Sequence, residues 1–152
     1  MLAIIRPGSW NILLLIHVAG AMALVALLIL AIFAVGKAAA TGDQPTTRFA
    51  FRTLLLGVLP AFIAMRVGAQ LIVSKEDLTS SNATWIGIGF GVSDGGLLLL
   101  IVLLVLTGLA ARRAKAGTRL AGTGGLRAAR VLTQILVAAC VVAIFAMTAK
   151  PD

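Results

Sequence analysis

Four long apolar runs divide the chain, at 10–35, 54–73, 85–109 and 131–149. Each reaches the roughly 20 residues that a helix needs to cross a hydrocarbon core of about 30 Å. Together they occupy most of the sequence and leave no stretch for a separate soluble unit. The pattern predicts an all-α, four-helix transmembrane bundle forming one integral membrane domain over 1–152. The connections at 36–53 and 110–130 are polar, the second is rich in Gly, and the cluster Gly42-Asp43-Gln44-Pro45 in the first reads as a turn.

Within the second run, Gly57, Ala61, Ala64 and Gly68 recur at i, i+4, i+7 and i+11, which puts them on one helical face. Small faces of this kind let membrane helices approach closely. Arg66 and Gln70 lie one turn apart on roughly the opposite face, and Pro60 is placed to kink the helix. In the third run, Gly87, Gly91 and Gly95 form overlapping GxxxG patterns. These glycines predict close packing against a neighbouring helix; the alternative is a locally unwound segment lining a cavity. A phosphate-binding loop is excluded, because the required Lys and Ser/Thr are missing.

Composition agrees with the pattern. The chain is 61% hydrophobic and only 12% charged, about half the charged fraction of an ordinary soluble domain, and its mean hydropathy is +1.10. The net charge of +8 would suggest nucleic acid in a soluble protein. Here nine of the thirteen basic residues fall in the two polar connections: Lys37, Arg48 and Arg52, then Arg112, Arg113, Lys115, Arg119, Arg127 and Arg130. Basic connections stay on the cytoplasmic side during insertion. Loops 36–53 and 110–130 are therefore expected in the cytoplasm, with both termini and the 74–84 connection outside, in a multi-pass cell-membrane protein. The 110–130 loop is also a candidate for anionic lipid. The first run is too long for a typical signal-peptide core and reads as a retained helix. Trp10 suits the outer interface. Cys140 is the only cysteine, so no internal disulfide forms. Asn82-Ala83-Thr84 fits a glycosylation sequon, most simply by chance.

Three ionisable residues interrupt the runs: His17, Arg66 and Asp94. Counting from the outer ends at 1.5 Å per residue places all three roughly 10–14 Å below the boundary. An arginine there costs about 2.5–3.5 kcal/mol on insertion scales, so a partner is expected. Arg66 is predicted to pair with Asp94 through a two-pronged hydrogen bond, with His17 and Gln70 nearby. A sealed pair that only fixes helix register is the simpler reading; a polar core reached by a ligand is the other. No catalytic array follows from the spacing, and Ser93 beside Asp94 marks only local polarity. One His and one Cys are too few for an ordinary zinc site. No cofactor is expected, although His17 is a candidate axial haem ligand with Met22 or Met65 as a second.

The stretch Leu15-Ile16-His17-Val18-Ala19-Gly20-Ala21 resembles the opening helix of small, uncharacterised bacterial four-helix membrane proteins, and is similar to copper resistance D-type membrane domains. That likeness implies a haem or metal role at His17, whereas the lack of further histidines and methionine clusters departs from copper handling. Two functions are thus expected. The first is a non-enzymatic accessory subunit or small transporter with an Arg66–Asp94 core, in a homo-oligomer or larger membrane complex and without nucleic acid. The alternative is a haem-binding redox or porphyrin-handling protein using His17.

Overall fold

The computed structural model describes residues 8–75, 84–118 and 123–149, and every element among them is helical. Helix α1 spans Gly8–Thr41. Helix α2, Gln44–Arg52, runs through a π-helical turn at Thr53–Val58 into α3, Leu59–Lys75. Helices α4, Thr84–Lys115, and α5, Gly124–Ala149, complete an up-down-up-down bundle. Four helices are long and apolar enough to cross a membrane: α1, the continuous Gln44–Lys75 helix, α4 and α5. Asn82 of the expected sequon and the side chain of Trp10 lie outside the described residues.

The two basic connections are largely helical, which corrects the expectation of long loops. Between α1 and α2 only Gly42 and Asp43 are non-helical. Gly42 takes φ 62°, a left-handed conformation that glycine adopts without a Cβ clash. The Thr41 hydroxyl donates to the Asp43 carboxylate, and the backbone N–H of Thr47 reaches back to the Asp43 carbonyl. At the other connection α4 runs on to Lys115. Gly117, at φ 82°, stops it: Thr118 N–H bonds Arg113 O and Gly117 N–H bonds Ala114 O, the paired bonds of a Schellman cap. Hydropathy underestimated these helices because basic residues such as Lys37 and Arg112 end an apolar run without ending a helix.

Pro60 has no N–H, and its ring would clash with the carbonyl four residues earlier. The chain responds with the wide turn just before it, in which Leu59 N–H bonds Leu54 O, five residues back. The expected distortion therefore lies at 53–58 rather than at Pro60 itself.

The most intimate contact joins α1 and α3. A Cβ on Gly20 would lie 2.7 Å from the backbone N of Met65, and one on Gly68 would lie 2.8 Å from the backbone N of His17. The two antiparallel backbones thus touch at reciprocal glycines, as the small face of the second run predicted. The third run behaves differently. Gly87, Gly91 and Gly95 meet nothing within 4 Å, and α4 stays helical there, so neither expectation for them holds. The inward face of α4 is Ile86, Ser93, Leu100, Leu103, Thr107 and Ala110, joined by Gly89 and Gly96. Its steps alternate three and four residues, the coiled-coil seam spacing. At the basic end, α4 packs on α2, with the Phe51 ring against Gly108. Buried threonines return their hydroxyls to the preceding turn: Thr107 to Leu103 O at 2.6 Å and Thr133 to Ala129 O at 2.7 Å.

Gly68→Ala should force α1 and α3 apart and lower unfolding stability in detergent by about 1–3 kcal/mol, the usual range for overpacking. Gly91→Ala should change it by less than about 0.5 kcal/mol, or raise it, since alanine is the better helix former. Equal losses for the two substitutions would contradict this assignment of packed and open glycine faces.

Candidate functional site

The α1–α3 crossing sets His17. With Gly68 beneath its backbone, the imidazole lies along α3, and its Nδ1 is 2.9 Å from the Met65 carbonyl oxygen. A carbonyl only accepts, so Nδ1 carries the proton and donates it. In the neutral ring this leaves Nε2 as the unprotonated nitrogen.

One residue further along α3, Arg66 turns toward α4. Its Nη2 donates to Asp94 Oδ1 at 2.7 Å, and its guanidinium carbon lies 4.6 Å from the centre of the Phe90 ring. Phe90 and Asp94 are one turn apart on α4, so one helical face supplies both the carboxylate and the aromatic cushion. The predicted pair therefore forms, but through a single hydrogen bond instead of a fork. It is also not a sealed core: the Asp94 side chain is 68% exposed and that of Arg66 28%. Asp94 follows the open glycine face of α4, which points out of the bundle. Gln70, one turn further along α3, is exposed and does not line the cavity behind the pair.

Behind the pair lies a cavity of about 730 Å³, lined by all four long helices. It occupies the half of the bundle away from the basic end. Packing explains it: α3 and α4 share almost no backbone contact, while α2 and the π turn close on α4 at the other end. Phe62, 3% exposed, sits against Gly96 and forms the floor. The walls are mainly apolar, including Met22, Phe90, Ile144 and Met147, with His17, Arg66, Ser93 and Thr148 as the polar side chains.

Ser93 is the residue that sequence reasoning passed over. It is 8% exposed, lines the cavity, and its Oγ is the one buried side-chain N or O atom among the described residues with no hydrogen-bond partner. The seam spacing of α4 is the signal that finds it: Ile86, Gly89, Ser93, Gly96 and Leu100 keep one register, and Ser93 is its only hydroxyl next to His17 and Arg66 in depth. An unpaired buried hydroxyl costs on the order of 1–3 kcal/mol, so a ligand atom supplying the missing bond would recover that loss. No three His, Cys, Asp or Glu side chains gather to hold a metal ion among the described residues.

No protein-family model, curated protein or solved structure matches the chain. Nothing in those comparisons therefore bears on the likeness of the His17 stretch to copper resistance D-type domains.

Arg66→Ala and Asp94→Ala should each lower thermal stability in detergent, and the double variant should lose less than their sum. Residues of one contacting ion pair couple by about 0.5–3 kcal/mol. Strictly additive losses would rule out a direct pair.

Proposed function

We propose that this chain is a non-enzymatic membrane protein, of the small-transporter or accessory-subunit kind, that holds a lipid-soluble molecule with a polar end in the cavity beside Arg66. The observation that carries the reading is the unpartnered Ser93 hydroxyl facing an apolar cavity. A volume of about 730 Å³ falls within the range of small-molecule sites, which are mostly apolar with a few placed polar groups. Ser93 Oγ and His17 Nε2 supply the polar contacts deep in the site. The Arg66–Asp94 pair stands at its edge, where the α3–α4 splay gives a lateral way in from the bilayer. Arg66 donates one N–H to Asp94, and its guanidinium has further donors that can reach an anionic or carbonyl oxygen at the cavity edge. The bias of basic residues supports a cytoplasmic position for the α1–α2 and α4–α5 connections in a cell-membrane protein, and with that orientation the cavity belongs to the outer half of the membrane.

A specific observation also favours a second reading, haem or porphyrin binding at His17. A metal-ligating imidazole usually donates its other nitrogen's proton to a carbonyl or carboxylate, and His17 donates Nδ1–H to Met65 O. Met22 and Met147 line the same cavity.

Organic extraction of the purified protein should release a lipid-soluble compound bearing a hydrogen-bonding end. Ala143→Phe, which fills the cavity, should deplete it, and Ser93→Ala should weaken its rebinding by about five- to tenfold, the worth of one hydrogen bond. Equal recovery from wild type and Ala143→Phe would sink the cavity reading. Haem supplied during expression should give a Soret band that His17→Ala removes if the second reading holds; a colourless protein rejects it.

A further inference from the structure

A second concavity lies at the basic end, where α2 and the π turn face α4. It measures about 600 Å³, and its walls change character along their length. Toward the bundle centre they are Leu55, Leu56, Leu104 and Val105; toward the end they are Arg48, Arg52, Arg112 and Lys115. Each helix makes the change within its own sequence. On α2, Arg48 and Arg52 are spaced by four and lead straight into Leu55 and Leu56. On α4, Leu104 and Val105 lead through Gly108 to Arg112 and Lys115. The bare Gly108 admits the Phe51 ring, which brings the two helices together beneath the groove.

Among the described residues the four cations have no counter-charge in the groove. No acidic side chain lines the groove. Among the described residues the acids are Asp43 and Asp94; Asp94 is engaged with Arg66 away from this end, and Asp43 accepts from Thr41. All four basic side chains are exposed, so like charges face each other across a groove whose apolar half is also open: Leu56 is 70% exposed and Val105 53%. Height matches charge. At 1.5 Å per residue α4 is about 48 Å long. Centred on a hydrocarbon core of about 30 Å, it projects by about 9 Å at each end. That puts Arg112 and Lys115 about 4–8 Å outside the hydrocarbon, at headgroup level, and Val105 about 7 Å inside it.

We propose that this groove binds an anionic phospholipid. Its phosphodiester sits among Arg48, Arg52, Arg112 and Lys115, and its acyl chains run along Leu55, Leu56, Leu104 and Val105. Arginine suits the role, because its planar fork takes two phosphate oxygens at once. The bound lipid neutralises the repulsion between α2 and α4 and ties them together at the end where the bundle is closed. The site is separate from the cavity beside Arg66 and does not depend on the function proposed for it.

The test is native mass spectrometry of the purified full chain in neutral detergent, titrated with phosphatidylglycerol, phosphatidylcholine or free glycerophosphate. One phosphatidylglycerol should bind at least tenfold more tightly than phosphatidylcholine, and glycerophosphate should not be retained. Arg52→Gln with Arg112→Gln should weaken phosphatidylglycerol by about 25-fold, from about fivefold per surface cation. Arg113→Gln with Arg127→Gln, two exposed charges that do not line the groove and so make no charge-assisted bond to the phosphodiester, should change it by less than about twofold. Should the first double variant fail to fold, Arg112→Gln alone decides, with an expected loss of about fivefold. Three results overturn the proposal: no preference for the anionic lipid, equal losses in both double variants (diffuse attraction to a basic surface), or glycerophosphate binding as well as the whole lipid (a free-anion site).

Discussion

The bundle depends on one contact, the backbone-to-backbone approach of α1 and α3 at Gly20 and Gly68. In a membrane, apolar side chains gain little by leaving lipid for one another, so helices associate through close packing and hydrogen bonds. Reciprocal glycines provide the first and thereby permit the second. Only because the backbones touch does the His17 ring reach the Met65 carbonyl. That bond settles which imidazole nitrogen holds the proton, and the same crossing sends Arg66 toward α4. The polar chemistry of the site is thus a consequence of where side chains are absent.

The cavity follows from a mismatch between the two ends of the molecule. Near the basic end, Phe51 seats against Gly108 and the wide turn before Pro60 carries the chain from α2 into α3. Beyond Phe62 and Gly96, α3 stays with α1 and α4 stays with α5. The two pairs of helices diverge, and the space between them is the cavity. The Arg66–Asp94 bond and the stacking of Arg66 on Phe90 are then the side-chain contacts that bridge the gap.

Much of this was legible in the residues. The four spans, the small face of the second run and the pairing of Arg66 with Asp94 all follow from local periodicity and from the cost of an uncompensated charge in hydrocarbon. Other features were not legible. Two interleaved glycine sets run along α4, one at Gly87, Gly91 and Gly95 and one at Gly89 and Gly96, and GxxxG spacing favours the set that the fold leaves open. The direction a helical face points is decided by its neighbours, and a span in isolation carries no record of them. Ser93 was passed over for the same reason, since it belongs to the buried seam and lines the cavity.

By itself the sequence determined what hydropathy and charge dictate segment by segment: four helices able to cross a membrane, a strongly basic pair of connections, and a shared depth for His17, Arg66 and Asp94. Each of these is a sum over consecutive residues, so no long-range contact is needed to read it. Tertiary structure alone decided which faces meet, that the ion pair stands at the edge of a cavity instead of in a sealed core, and that the cations of α2 and α4 line one groove. Those outcomes join residues tens of positions apart. They depend on how closely two backbones can approach, and that distance exists only once the helices are packed.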